Sequence, residues 1–200
     1  MKSVVFSVSC LLAFSSQLYS VPTTIAEPAA TVVHGDSNHG GKIESKYDGL
    51  AHETVSTLRK MKVTCAGGSQ DMFKDGCVSV SASLHCPGVQ LDYVRHAKLQ
   101  VIFETKDWDQ RHPPEERDLV VVVDTTTLRF GRMRLVSQNI DTLNTETFEA
   151  TISYDAFKKI ESGRVVEMAV GNSRFELRQK NLEALRDLNN RVRISQASSR

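Results

Sequence analysis

The ten residues CVSVSASLHC (77–86) decide the fold class. Val78, Val80, Ala82, Leu84 and Cys86 fall on one side of an extended chain, and Ser79, Ser81, Ser83 and His85 on the other. A period of two marks a strand with one face on a core and one in water. Upstream, Met61, Val63 and Cys65 alternate in the same manner, and the polar, glycine-bearing stretch 66–76 reads as a long hairpin loop, so two antiparallel strands are expected. Aligning Met61 and Val63 with Val78 and Val80 puts Cys65 on the core face and Cys77 on the wet one. A Cys65–Cys77 disulfide therefore needs a bulge or a shifted register. Loop proximity favours that bridge, with only 11 residues between the two cysteines; Cys65 with Cys86 is the alternative.

Working outward, Ala97, Leu99, Val101 and Phe103 alternate with polar residues as a further one-sided strand, followed by a charged loop with paired prolines, Pro113 and Pro114. The run LVVVV (119–123) is apolar on both faces and reads as the most buried, central strand. Leu128 and Phe130 share one parity, Met133 and Leu135 the other; a β-bulge at Gly131 would restore one core face. Phe148, Ala150 and Ile152 predict another strand. Ala156, Phe157 and Ile160 then fall at helical spacing, with Ser153 as cap and Gly163 as stop. Val166, Met168 and Val170, a turn at Gly171 and Asn172, then Phe175 and Leu177 predict a second hairpin. Leu182, Leu185, Leu188 and Val192 trace one stripe of a C-terminal amphipathic helix. The expected fold is β-rich α+β: an antiparallel sandwich or strongly bent sheet of about seven to eight strands, with a short helix and the C-terminal amphipathic one.

Ahead of this domain stands MKSVVFSVSCLLAFSSQLYS (1–20): one Lys by the start, an apolar stretch from Val4 to Phe14, then small and polar residues. That is the layout of a cleavable signal peptide, with cleavage after Ser20 or as late as Ala26. The apolar stretch falls short of the roughly 20 residues that span a bilayer, so no transmembrane segment is expected. Cys10 lacks the Leu-like residue three places earlier that lipidation requires, and is read as part of the removed segment. Residues 21–49, rich in Pro, Thr, Ala, Gly and His, read as a flexible leader, 50–194 as one globular domain and 195–200 as a disordered tail. Removing Lys2 takes the formal charge from +1 to zero, which argues against nucleic acid as a partner, because several phosphates would have to be neutralised.

Three sets of polar residues raise the question of chemistry. His34, Asp36 and His39 are metal-ligand types, but in a leader without preorganised geometry they read as incidental. His85, His96 and His112, with Asp107 and Asp109, are candidates for an acid and base pair, set against ordinary surface and loop positions. Trp108 is a candidate partner anchor, weighed against folding over the sheet edge. Arg129, Arg132 and Arg134 form a basic cluster that meets either an acidic ligand or the carboxylates of neighbouring strands. No nucleophile-elbow, zinc-protease, phosphate-loop or CxxC signature is present. No catalytic, metal or cofactor-binding residue is therefore assigned and no cofactor is called for.

The stretch VEMAVGNSRFEL (166–177) running into NLEALRDL (181–188) resembles the C-terminal part of exported bacterial proteins of unknown function, over about residues 148–192. The resemblance implies a bacterial envelope or secreted setting and carries over no activity. The expectation is an exported, noncatalytic binding or interaction module of unknown ligand, with an envelope or secreted protein as the candidate partner. The alternatives are a secreted hydrolase or metal-dependent enzyme with loop-borne residues, and a structural subunit of an envelope assembly.

Overall fold

The computed structural model describes residue 39 and residues 41–65, 76–105, 112–140 and 144–198; the signal-peptide reading of 1–20 lies outside them. Among these residues ten strands form two antiparallel sheets. The first holds six, in the order β1 (Ile43–Asp48), β2 (Glu53–Cys65), β3 (Cys77–Pro87), β4 (His96–Thr105), β8 (Asn144–Ile152) and β7 (Arg134–Ile140). The second holds four, in the order β10 (Ser173–Leu177), β9 (Val166–Val170), β5 (Asp118–Val123) and β6 (Thr126–Arg132). Helices α1 (Tyr154–Ser162) and α2 (Gln179–Ser198) complete the unit, α2 packing on β2, β3, β10 and α1. The β-rich α+β class with a C-terminal helix is as expected.

The core follows the period-two alternation of β3 and its neighbours. Val78, Val80, Ala82 and Leu84 of β3 stand opposite Phe103, Val101, Leu99 and Ala97 of β4, and Val101, Leu99 and Ala97 in turn face Phe148, Ala150 and Ile152 of β8. All are buried. Leu119, Val121 and Val123 of β5, with Val166, Met168 and Val170 of β9, supply the facing layer, and Leu182, Leu185, Leu188 and Val192 of α2 are fully buried. Each such aliphatic side chain removed from water is worth about 1.5–3 kcal/mol.

Four expectations are corrected. The leader does not extend to 49, since Ile43–Asp48 pairs with β2 as an edge strand; Ile43 is its one buried apolar residue, so the hydrophobic alternation that announces a strand is missing. The run 119–123 is central in its sheet but covered on one face only, leaving Val120 and Val122 half-buried. Residues 128–135 are not one strand. The bulge is present, with Gly131 at φ 70° and the register slipping between Leu119 and Val120, but the chain then passes Met133 and switches sheets, so the parity change also marks a crossing of the core. Finally, the serine face of β3 is not wet: Ser79 and Ser81 are buried because short side chains on an inner strand are shaded by longer ones on β2 and β4, and His85 is buried under the His96 ring and Glu53.

The register also bears on the cysteines. Met61 does pair with Val80, and a second slip between Lys62 and Thr64 sets Cys65 directly opposite Cys77. This is the shift that the bridge required. Opposed residues of an antiparallel pair have Cα atoms about 4.5–5.5 Å apart, inside the about 4.4–6.8 Å that a disulfide spans. Cys86 pairs near the other end, against Thr54, roughly 30 Å along the strand; it is a free, buried thiol, which removes the Cys65–Cys86 alternative. Burial, helped by the Asp92 and Glu53 charges, pushes that thiol up to about 12. In oxidised protein lacking residues 1–20, alkylation should therefore find no reactive thiol in the fold and one, Cys86, after denaturation; three would refute the bridge.

α1 begins where Ser153 accepts a hydrogen bond from the Ala156 amide at 3.2 Å. Its stop at Gly163 works by space rather than by conformation. The residue is at φ −61°, but a Cβ there would lie 2.7 Å from Val123 Cγ1 and 2.8 Å from Val166 Cγ2. Arg186 of α2 donates to the carbonyls of Glu161 and Gly163 at 2.8 and 2.9 Å, satisfying the end of α1, while buried Asn189 links Glu161 and Tyr154.

Candidate functional site

The open face of the six-stranded sheet carries a shallow trough of about 210 Å³. Ser81 and Ser83 of β3 form its floor, Thr57 of β2 one wall, Lys98 and Gln100 of β4 the other, and Glu149 of β8 lies beyond. The hollow follows from side-chain length, since an inner strand bearing serines is flanked by strands bearing longer residues. Ser81 is turned downward, donating to the Leu58 carbonyl at 2.8 Å, where β2 slips register.

Ser83 is engaged differently. Its Oγ lies 3.1 Å from His85 Nε2, and His85 Nδ1 lies 2.8 Å from Glu53 Oε1. A carboxylate oxygen accepts, so Nδ1 carries the proton and Nε2 accepts from the Ser83 hydroxyl. Ser83 and His85 share a face because they are two apart on a strand. Glu53 reaches them diagonally from β2, where Val55 pairs with His85 and Thr57 with Ser83. His96 stands opposite His85 and its ring stacks on it, centroids 4.5 Å apart and planes 16° apart.

Burial raises the Glu149 carboxyl, but hydrogen bonds from Arg134 (2.8 Å) and Gln100 (3.0 Å), with the Lys98 charge at 3.8 Å, together hold it below the usual carboxylate range. His96 is held below the ordinary histidine value, first by burial and then by His85, with Lys98 and Arg95 adding and Glu53 opposing. Its folded value is below its unfolded one, so the unfolded chain binds the proton more readily, and stability falls as pH drops below about 6.5. Urea midpoints between pH 7.5 and 5 should fall less steeply in His96→Gln than in the parent; parallel curves would contradict this.

A second relay has the same connectivity in a different setting. His112 Nδ1 lies 3.1 Å from Glu146 Oε2, His112 Nε2 lies 2.9 Å from Ser173 Oγ, and the His112 amide donates to the same Glu146 oxygen at 3.2 Å. All three residues are buried, with Phe103 and Phe148 rings against the imidazole. This relay joins β8 of one sheet to β10 of the other. It has no surface to meet a ligand.

His85 and His96 thus converge and His112 does not. The reading of His85 and His112 as surface positions is corrected: His85 is covered by its stack and by Glu53, and His112 turns inward between the sheets to reach Glu146 and Ser173. The basic cluster divides, Arg129 and Arg132 lying on β6 and Arg134 on β7 of the other sheet, where it pairs with Glu149 as a cross-strand carboxylate partner. His39 Nε2 lies 3.3 Å from Asp187 Oδ2 on α2; His34, Asp36, Asp107, Trp108 and Asp109 lie outside the described residues. Among the described residues no three His, Cys, Asp or Glu side chains are placed to hold a metal ion, and no helix is long and apolar enough to cross a membrane. Glu53 was not among the candidates from sequence; 29 residues lie between it and Ser83, and only the β2–β3 register brings them together. No family model, no curated protein and no solved structure matches the chain.

Proposed function

We propose that the chain is an exported binding module that seats a polar group of its partner, an envelope or secreted protein, in the trough on the open sheet face. The observation that carries this reading is the trough itself. It is a concavity on a face where a strand row of equal side chains would be flat, lined by an ammonium, a carboxylate, an amide and hydroxyls. Its volume of about 210 Å³ is below the roughly 300–1,000 Å³ of sites that enclose a whole drug-sized molecule, which suits one polar side chain or a comparably short group. The signal-like residues 1–20 support the exported setting, and the balanced charge supports a partner other than nucleic acid.

A photo-crosslinking residue placed at Gln100 in intact cells, with Thr127 on the four-stranded sheet as control, tests it. The expected outcome is one identified adduct from position 100, absent from 127 and lost when Ser83→Trp fills the trough, on protein recovered outside the cytoplasm with its N-terminus at or after residue 21. Equal adducts from both positions, or cytoplasmic protein retaining residues 1–20, would overturn the reading.

A further inference from the structure

We propose that the trough is also a reaction site, in which Ser83 is a nucleophile, His85 its general base, and the substrate class a small carboxylic ester. The inference rests on the trough being where the ligand sits, and adds a reaction to it. Three observations carry it. The Ser83–His85–Glu53 chain has the connectivity that lets an imidazole take a hydroxyl proton while a carboxylate holds the ring, at 3.1 and 2.8 Å. Ser83 lines the trough, unlike the enclosed Ser173 of the second relay. Lys98, the direct cross-strand partner of Ser83, also lines the trough, and its ammonium, 3.8 Å from Glu149 Oε1, is the cation available to an oxyanion formed there.

In the forward step Ser83 Oγ bonds to the ester carbonyl carbon, its proton passes to His85 Nε2, and the carbonyl oxygen takes the negative charge beside Lys98. The intermediate collapses by breaking the carbon–oxygen bond to the alcohol, which leaves with the proton from His85. Water then attacks the acyl-Ser83 ester, giving its proton to His85; the carboxylic acid departs and Ser83 Oγ regains a proton. Ester and water become acid and alcohol. Glu53, acting through His85, is a positioning residue.

The test is labelling of the full mature chain with a fluorophosphonate, in which the serine oxygen bonds to phosphorus and fluoride leaves. A single adduct on Ser83 is expected, absent in Ser83→Ala, slowed by ~100-fold or more in His85→Ala, slowed in Lys98→Met, and unchanged in Ser173→Ala, with circular dichroism verifying each fold. Glu53→Gln should lower the maximal labelling rate and leave the half-saturating probe concentration unchanged, since Glu53 holds the His85 ring and does not touch the probe; a purely structural role would move both. An adduct on another serine, no adduct, or a rate indifferent to His85 would overturn the reaction. Crosslinking from position 100 would then still report on binding by itself.

Discussion

Phe148→Ala should lower the unfolding free energy by about 3–5 kcal/mol, the range for removing a buried aromatic ring from a core that collapses incompletely. Phe148 is fully buried on β8 opposite Val101. Its ring meets Phe103 edge-on at 5.9 Å, meets His112 at 5.4 Å and carries the Arg117 guanidinium at 5.3 Å. One truncation therefore takes support from both the central strand pair and the segment that returns the chain to the second sheet. A domain with 5–15 kcal/mol in total would lose a large share of it. Urea unfolding followed by circular dichroism is the measurement, and a loss below about 1.5 kcal/mol would show that the neighbours refill the space.

Glu146→Ala should cost about 3 kcal/mol, by a different route. The carboxylate accepts from both the backbone amide and the ring of His112, and these groups are enclosed, so its removal leaves buried polar atoms without partners. Glu146→Gln keeps an acceptor oxygen in the same shape and should recover part of the loss. The double variant Phe148→Ala with Glu146→Ala should lose less than the sum, since both act on His112. Additive losses would separate the relay from the aromatic cluster. The same hydrogen-bond pattern in Glu53, His85 and Ser83 plays another part: enclosed, it is a clasp between sheets, whereas here its Ser83 and His85 end lines a trough.

Strand and helix identities were legible because they rest on periods of two and 3.6 that apolar side chains write into the chain. The hairpin at Gly171, the bulge at Gly131 and the Ser153 cap were visible for the same local reason. β1 was not, having one buried apolar residue, nor was the sheet switch at Met133, where a change of parity has the same appearance whether the strand bulges or changes sheets. The candidate site was half visible. Ser83 and His85 were read as neighbours on one face, but Glu53, Lys98 and Glu149 join them from three other strands, and cross-strand register depends on bulges in β2 that no alternation announces.

Sequence by itself determined the class of fold: CVSVSASLHC could be buried only as a strand with its valines inward, and the Leu stripe of residues 182–192 only as a helix against a core. Tertiary structure decided the fate of the other face. Whether Ser83 and His85 meet water, a core or a partner depends on which strands flank β3 and how long their side chains are. That is information carried by register between distant segments, since a slip of one residue would turn every one of these side chains to the opposite side of the sheet.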